Sequence, residues 1–90
     1  MSINAYILFK VSSGTERDVC TQLAAFDEVV TASVIYGEYD VIAKISVSSM
    51  NSLETFIPDK IRKIPSVMLS STLIIARDYK GKNNREKISG

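Results

Sequence analysis

The stretch Val29-Val30-Thr31-Ala32-Ser33-Val34-Ile35-Tyr36-Gly37-Glu38-Tyr39-Asp40-Val41-Ile42-Ala43-Lys44-Ile45-Ser46-Val47 decides the fold. Two β-rich apolar runs flank a short polar break, Tyr36 to Asp40, which is the pattern of two strands joined by a hairpin loop. Gly37 supplies the backbone freedom such a break needs. Glu38, Tyr39 and Asp40 carry side chains able to hold a polar ligand, and two of the three are acidic. A strand and a helix are expected before this unit, and a helix and a strand after it.

Upstream, Ala5 to Val11 alternates, with Ala5, Ile7, Phe9 and Val11 on one face and Tyr6, Leu8 and Lys10 on the other. Ser12-Ser13-Gly14-Thr15 is a turn cluster, and Thr15 is placed to cap a following helix. Glu16 to Phe26 then puts Val19, Cys20, Leu23 and Phe26 on one helical face. In the central unit, Val30, Ala32, Val34 and Tyr36 fall on one face of their strand. Val41, Ala43, Ile45 and Val47 do so on the next.

Downstream, Ser48-Ser49 opens a second helix in which Met50, Leu53, Ile57, Ile61 and Ile64 recur at helical spacing. Pro58 interrupts it, because an interior proline removes a hydrogen bond and clashes with the preceding turn. A kink at Phe56–Ile57 or a new short turn starting at Pro58 is expected. Pro65 ends the element, and Val67 to Arg77 is the longest strand candidate. Residues 78–90 are polar and basic and read as a mobile or partly ordered tail beyond a domain of residues 1–77.

The element order β-α-β-β-α-β predicts an α+β, ferredoxin-like plait, a four-stranded antiparallel sheet with both helices on one face. The other face is then uncovered, yet every strand carries apolar residues on both faces. Two sheets packed face to face, a dimeric α/β barrel, would bury them.

Composition excludes several function classes. With 90 residues this is one domain, and the 46% hydrophobic content is more than one thin core hides, which again points to association. A net charge of +1 gives no dominant electrostatic grip on nucleic acid, so no direct nucleic-acid contact is expected. Four basic residues of the tail, Lys80, Lys82, Arg85 and Lys87, read as solvation. The absence of histidine removes a His general base, metal ligand and haem ligand together, so no catalytic residue, metal or cofactor is assigned. The single cysteine, Cys20, forms no intrachain disulfide and reads as a buried, inert thiol. No apolar run is long enough to span a membrane and no basic leader precedes the first strand, so the cytoplasm is the expected compartment.

The order of elements resembles the effector-binding (RAM) domain of the Lrp/AsnC feast/famine regulators. So do the Tyr36-Gly37-Glu38-Tyr39-Asp40-Val41 loop and the Ile64-Pro65-Ser66-Val67 turn leading into Ser70-x-Thr72. The resemblance covers about Ile3 to Arg77. It implies a module that dimerises through its sheets, assembles into rings such as octamers, and binds an amino acid or similar small effector between dimers. It places Gly37, Glu38, Tyr39, Asp40, Ser70 and Thr72 at that effector cleft. The family's usual DNA-binding helix-turn-helix has no counterpart here. The resemblance is therefore to a stand-alone form that modulates transcription through oligomeric assembly, with full-length regulators as candidate partners. Two departures stand out. Ser70 replaces a common Thr, and Ser66 replaces the glycine of the family turn, where a positive φ would strain it.

The residues alone leave plainer readings open. Asp40 would equally brace its loop by accepting backbone N–H groups, and Ser70 and Thr72 are ordinary strand residues. An ACT-like amino-acid-binding subunit shares the element order but places its ligand near Val11 to Gly14. Dimeric plaits also host small enzymes, whose reliance on His, metal or haem sits poorly with this composition.

Overall fold

The computed structural model describes residues 2–85. Its elements are β1 (Ile3–Val11), α1 (Glu16–Ala24), β2 (Val29–Val34), β3 (Val41–Val47), α2 (Met50–Phe56) and β4 (Val67–Ile74). A π-helical turn (Ile57–Ile61) continues α2, and a 3-10 turn (Lys82–Arg85) follows β4. The sheet is antiparallel with order β2-β3-β1-β4. The order and sheet are those of the ferredoxin-like plait.

β1 and β3 form the centre of the sheet, and their alternation is the one read from the residues. Ala5, Ile7, Phe9, Val11, Val41, Ala43, Ile45 and Val47 are all buried. They meet Val19 and Leu23 of α1, Leu53 and Phe56 of α2, and Ile61 and Ile64 beyond it. Burying a side chain of this size stabilises by about 1.5–3 kcal/mol relative to exposure.

The two edge strands depart from plain alternation. Val29 pairs with Ile45 while Thr31 pairs with Lys44, so Val30 is an extra residue. Val11 pairs with Val67 while Lys10 pairs with Leu69, so Met68 is another. These are β-bulges, which insert one unpaired residue and bend the strand. Each extra residue points away from the core, Val30 at 55% and Met68 at 72% exposure. Val29 accordingly joins Ala32 against the core rather than opposing it.

Other boundaries moved for local reasons. α1 ends at Ala24, and Phe26 leaves the helix to pack edge-on against Phe56, with ring centroids 5.8 Å apart. Thr15 does not cap α1; its hydroxyl donates to the Ser12 carbonyl at 2.6 Å. Ser49 does cap α2, its hydroxyl accepting from the Ser52 N–H at 3.1 Å. Pro58 falls at the start of a new short turn after α2 ends at Phe56, close to the second of the two expected outcomes. It sits in the first positions of the π turn, where the Arg62 N–H reaches back five residues to the Ile57 carbonyl at 3.0 Å. The wider turn absorbs the proline that a regular helix would reject. Lys60 of this turn pairs with both carboxylate oxygens of Glu28 at 3.1 Å and lies over the Phe26 and Phe56 rings. That contact ties the turn to the α1–β2 connection.

Ser66 is unstrained, because among the described residues only glycines have positive φ. β4 stops at Ile74 instead of Arg77. It is an edge strand whose one neighbour, β1, starts at Ile3, so the ladder runs out after the Ile75 N–H reaches the Asn4 carbonyl. Residues 78–83 do not simply trail away. They form a cleft with Tyr6 and Lys44 on the helix-free face of the sheet. Residues 86–90, with Glu86 and Lys87 of the expected tail, lie outside the described residues.

That helix-free face is mixed. The register puts Tyr6, Leu8 and Lys10 of β1, Ile42, Lys44 and Ser46 of β3, Leu69, Ser71 and Leu73 of β4, and Thr31 and Ser33 of β2 on it. Leu69 and Leu73 are about half exposed.

Candidate functional site

Antiparallel pairing gathers three connections at one end of the sheet: the β1–α1 turn, the β2–β3 loop and the start of β4. The Ser12 N–H donates to the Ser66 carbonyl at 3.0 Å, and the Asp40 N–H to the Phe9 carbonyl at 2.8 Å. The β2–β3 loop is closed by the Ile35 N–H donating to the Asp40 carbonyl at 2.9 Å. Gly37 adopts φ +154°, where a side chain would be strained although nothing would obstruct a Cβ. The glycine is there for the backbone and not for close packing.

Beside this loop lies an open cleft of about 400 Å³, lined by Glu16, Val34, Ile35, Tyr36, Gly37 and Asp40. Small-molecule pockets run from about 300 to 1,000 Å³. Its chemistry is an apolar wall from β2 and two carboxylates. The Asp40 carboxylate is partly committed, accepting from the Val11 N–H at 3.0 Å. Asp40 therefore braces the end of β1, where the plainer reading has it bracing its own loop, and it retains further acceptor capacity. Tyr36 is fully exposed and has an open side toward solvent.

The six residues expected at an effector cleft do not meet within one chain. Gly37 and Asp40 line the cleft. Glu38 is exposed and lies outside its lining. Tyr39 is half-buried, with the Lys10 ammonium 5.8 Å from its ring centroid. Ser70 and Thr72 are half-buried on β4, opposite Phe9 and Ile7 on the helix side. β1 separates β4 from β3, so this pair stands two ladder steps from the loop, roughly 10 Å. Glu16, Val34, Ile35 and Tyr36 were not among the expected residues. Glu16 could have been found from topology, since the turn after β1 must share an end of the sheet with the β2–β3 loop. The Val11 to Gly14 turn of the alternative reading is at this same end, joined to the loop by the Asp40–Val11 bond.

Cys20 is half-buried on α1, not fully buried as expected from the sequence, and this partial burial pushes its thiol above its ordinary pKa. Among the described residues no group of three or more His, Cys, Asp or Glu is placed to hold a metal ion. No helix of the described residues is long and apolar enough to cross a membrane.

Comparison with known proteins places this geometry. The family model described as the Lrp/AsnC ligand binding domain matches residues 4–84. The HTH-type transcriptional regulator FL11 of Pyrococcus horikoshii is 34% identical over 79 residues, 88% of this chain and 52% of that protein. The chain thus spans about half the length of the curated relatives it matches. The crystal structure of FFRP-DM1 is 42% identical with a TM-score of 0.78, covering 81% of this chain and 97% of that one. A transcriptional regulator from Neisseria meningitidis, solved in complex with L-Met, shares the fold at 17% identity and a TM-score of 0.79, over 88% of this chain and 53% of its own. With a family match over nearly its whole length and the plait that such domains share, the chain belongs to the Lrp/AsnC family of transcriptional regulators, as its ligand-binding domain.

Proposed function

We propose that this domain binds an amino acid or related small metabolite at the β2–β3 loop and passes that occupancy into transcriptional control through oligomeric assembly, without catalysing a reaction. The observation that carries the reading is the cleft bounded by Gly37, Asp40 and Glu16, open on its Tyr36 side. Its carboxylates suit the ammonium of an amino acid, and its apolar β2 wall suits an aliphatic side chain. Support comes from the L-Met complex of the Neisseria relative. The effector would complete its contacts with Ser70 and Thr72 of a neighbouring copy, since those residues stand apart from the loop within one chain.

The helix-free face, with Leu8, Ile42, Leu69 and Leu73, is the surface on which two copies would pack, and rings such as octamers would follow from contacts between dimers. The reading includes action in the cytoplasm without a DNA-binding segment in the same chain, in concert with full-length regulators. In its support, the similar FFRP-DM1 chain is matched over 97% of its own length.

The test is a thermal-shift and calorimetric screen of the twenty amino acids, with light scattering to follow mass. A ligand that raises the melting temperature and changes the assembly is expected. No response to any amino acid at millimolar concentration refutes effector binding, and a monomer under all conditions refutes the shared cleft.

A further inference from the structure

The helix-free face carries two lysines and, along its ladder, no acidic residue: Tyr6, Leu8 and Lys10 face Leu73, Ser71 and Leu69 on one side and Lys44 and Ile42 on the other. Lys10 lies at the exposed end, over the Tyr39 ring. Lys44 is half-buried in the interior of the face, between Tyr6 and Thr31 in the register. Packing this face against a second copy would strip water from Lys44. An unpaired ammonium in such a place is strongly unfavourable unless a counter-charge comes with it.

The chain brings one acid to that spot. Asp78, four residues past the end of β4, lines the same cleft as Lys44, together with Tyr6, Tyr79, Lys80, Gly81 and Asn83. Asp78 and Lys80 are both exposed in the single chain, whereas Lys44 is half-buried. We infer that Asp78 is the counter-charge that allows Lys44 to be buried when the helix-free faces of two copies meet, so that residues 78–83 form part of the assembly interface. The inference rests on the sheet-packing reading and adds to it a specific electrostatic condition: the faces close only with this segment in place. The occupant is a second copy of this chain, the partner that the sheet-packing reading assigns to this face. The face offers apolar area and cations, and the acid that completes it belongs to the same protein.

Sedimentation equilibrium across a wide concentration range tests this with wild type, Asp78→Asn, Asp78→Glu, Lys44→Met and the Lys44→Met/Asp78→Asn pair. Asp78→Asn is expected to raise the dimer dissociation constant at least about tenfold, since removing one partner of a buried pair leaves the other uncompensated. Asp78→Glu should retain most of the affinity, and adding Lys44→Met to Asp78→Asn should restore it. The monomer fold, read by circular dichroism, should be unchanged, because the buried core lies wholly within residues 5–64. A dimer of unchanged affinity in Asp78→Asn, or a loss that Lys44→Met does not rescue, overturns the counter-charge while leaving sheet packing intact. A wild type that stays monomeric overturns both.

Discussion

Replacing Asp40 by Ala separates the two jobs that its carboxylate holds. In the fold, Oδ2 accepts from the Val11 N–H at 3.0 Å, and Val11 is buried at the end of β1. Alanine leaves that N–H without its partner. A hydrogen bond to a charged group contributes about 1.5–3 kcal/mol. Asp40 is half-exposed, so water compensates part of the loss and about 1–2 kcal/mol is expected. For a domain of this size each kcal/mol moves the melting temperature by about 4–8 °C, which predicts a drop of roughly 4–16 °C. Asn in the same place keeps a carbonyl oxygen for the Val11 N–H and should cost less than about 1 kcal/mol. Urea denaturation at one fixed protomer concentration is the assay, because assembly itself adds to apparent stability. If Asp40→Ala stays within about 0.5 kcal/mol of wild type, the brace contributes nothing and the structural account of the loop is wrong. If Asp40→Asn keeps its stability but loses the effector response, the negative charge serves the ligand and not the fold.

Three further outcomes are expected. Gly37→Ala forces a side chain into φ +154° with open space around it, so urea midpoints should report a loss of about 1 kcal/mol from backbone strain alone. Ser49→Ala removes the acceptor for the Ser52 N–H and should destabilise by about 1 kcal/mol, seen as a lower thermal midpoint with the fold retained. Cys20, its pKa raised by burial, should be alkylated more slowly in the native protein than in the urea-unfolded chain. The linkage has a matching sign. The fold holds the proton more tightly than the unfolded chain does, so stability is level below the ordinary thiol range and falls as pH rises through it. A midpoint that rises in that alkaline window would contradict the burial.

The centre of the fold was readable from residues because β1 and β3 are flanked on both sides and keep strict alternation. The edges were less so. Val29-Val30 and Val67-Met68-Leu69 are consecutive apolar residues, and nothing in such a run marks which one a bulge will expel. Pro58 announced an irregularity, but whether a kink, a break or a π turn results depends on how Lys60 and Ile61 dock, which is a tertiary matter. The site divides in the same way. Gly37 and Asp40 were legible from the loop's own composition. Glu16 required the topology. The separation of Ser70 and Thr72 from the loop follows from the strand order, which puts β1 between β4 and β3.

The two bulges have a consequence for how copies accumulate. Neither β2 nor β4 carries a charged residue, and each leaves a row of backbone groups unpaired along one side of the sheet. A smooth, uncharged border of that kind invites strand-by-strand accretion, the route to ribbons and fibrils. Val30 and Met68 each break the rhythm where their strand begins, and the added twist spoils a long, flush match with another border. Growth by lateral extension is thereby discouraged at both margins of the sheet.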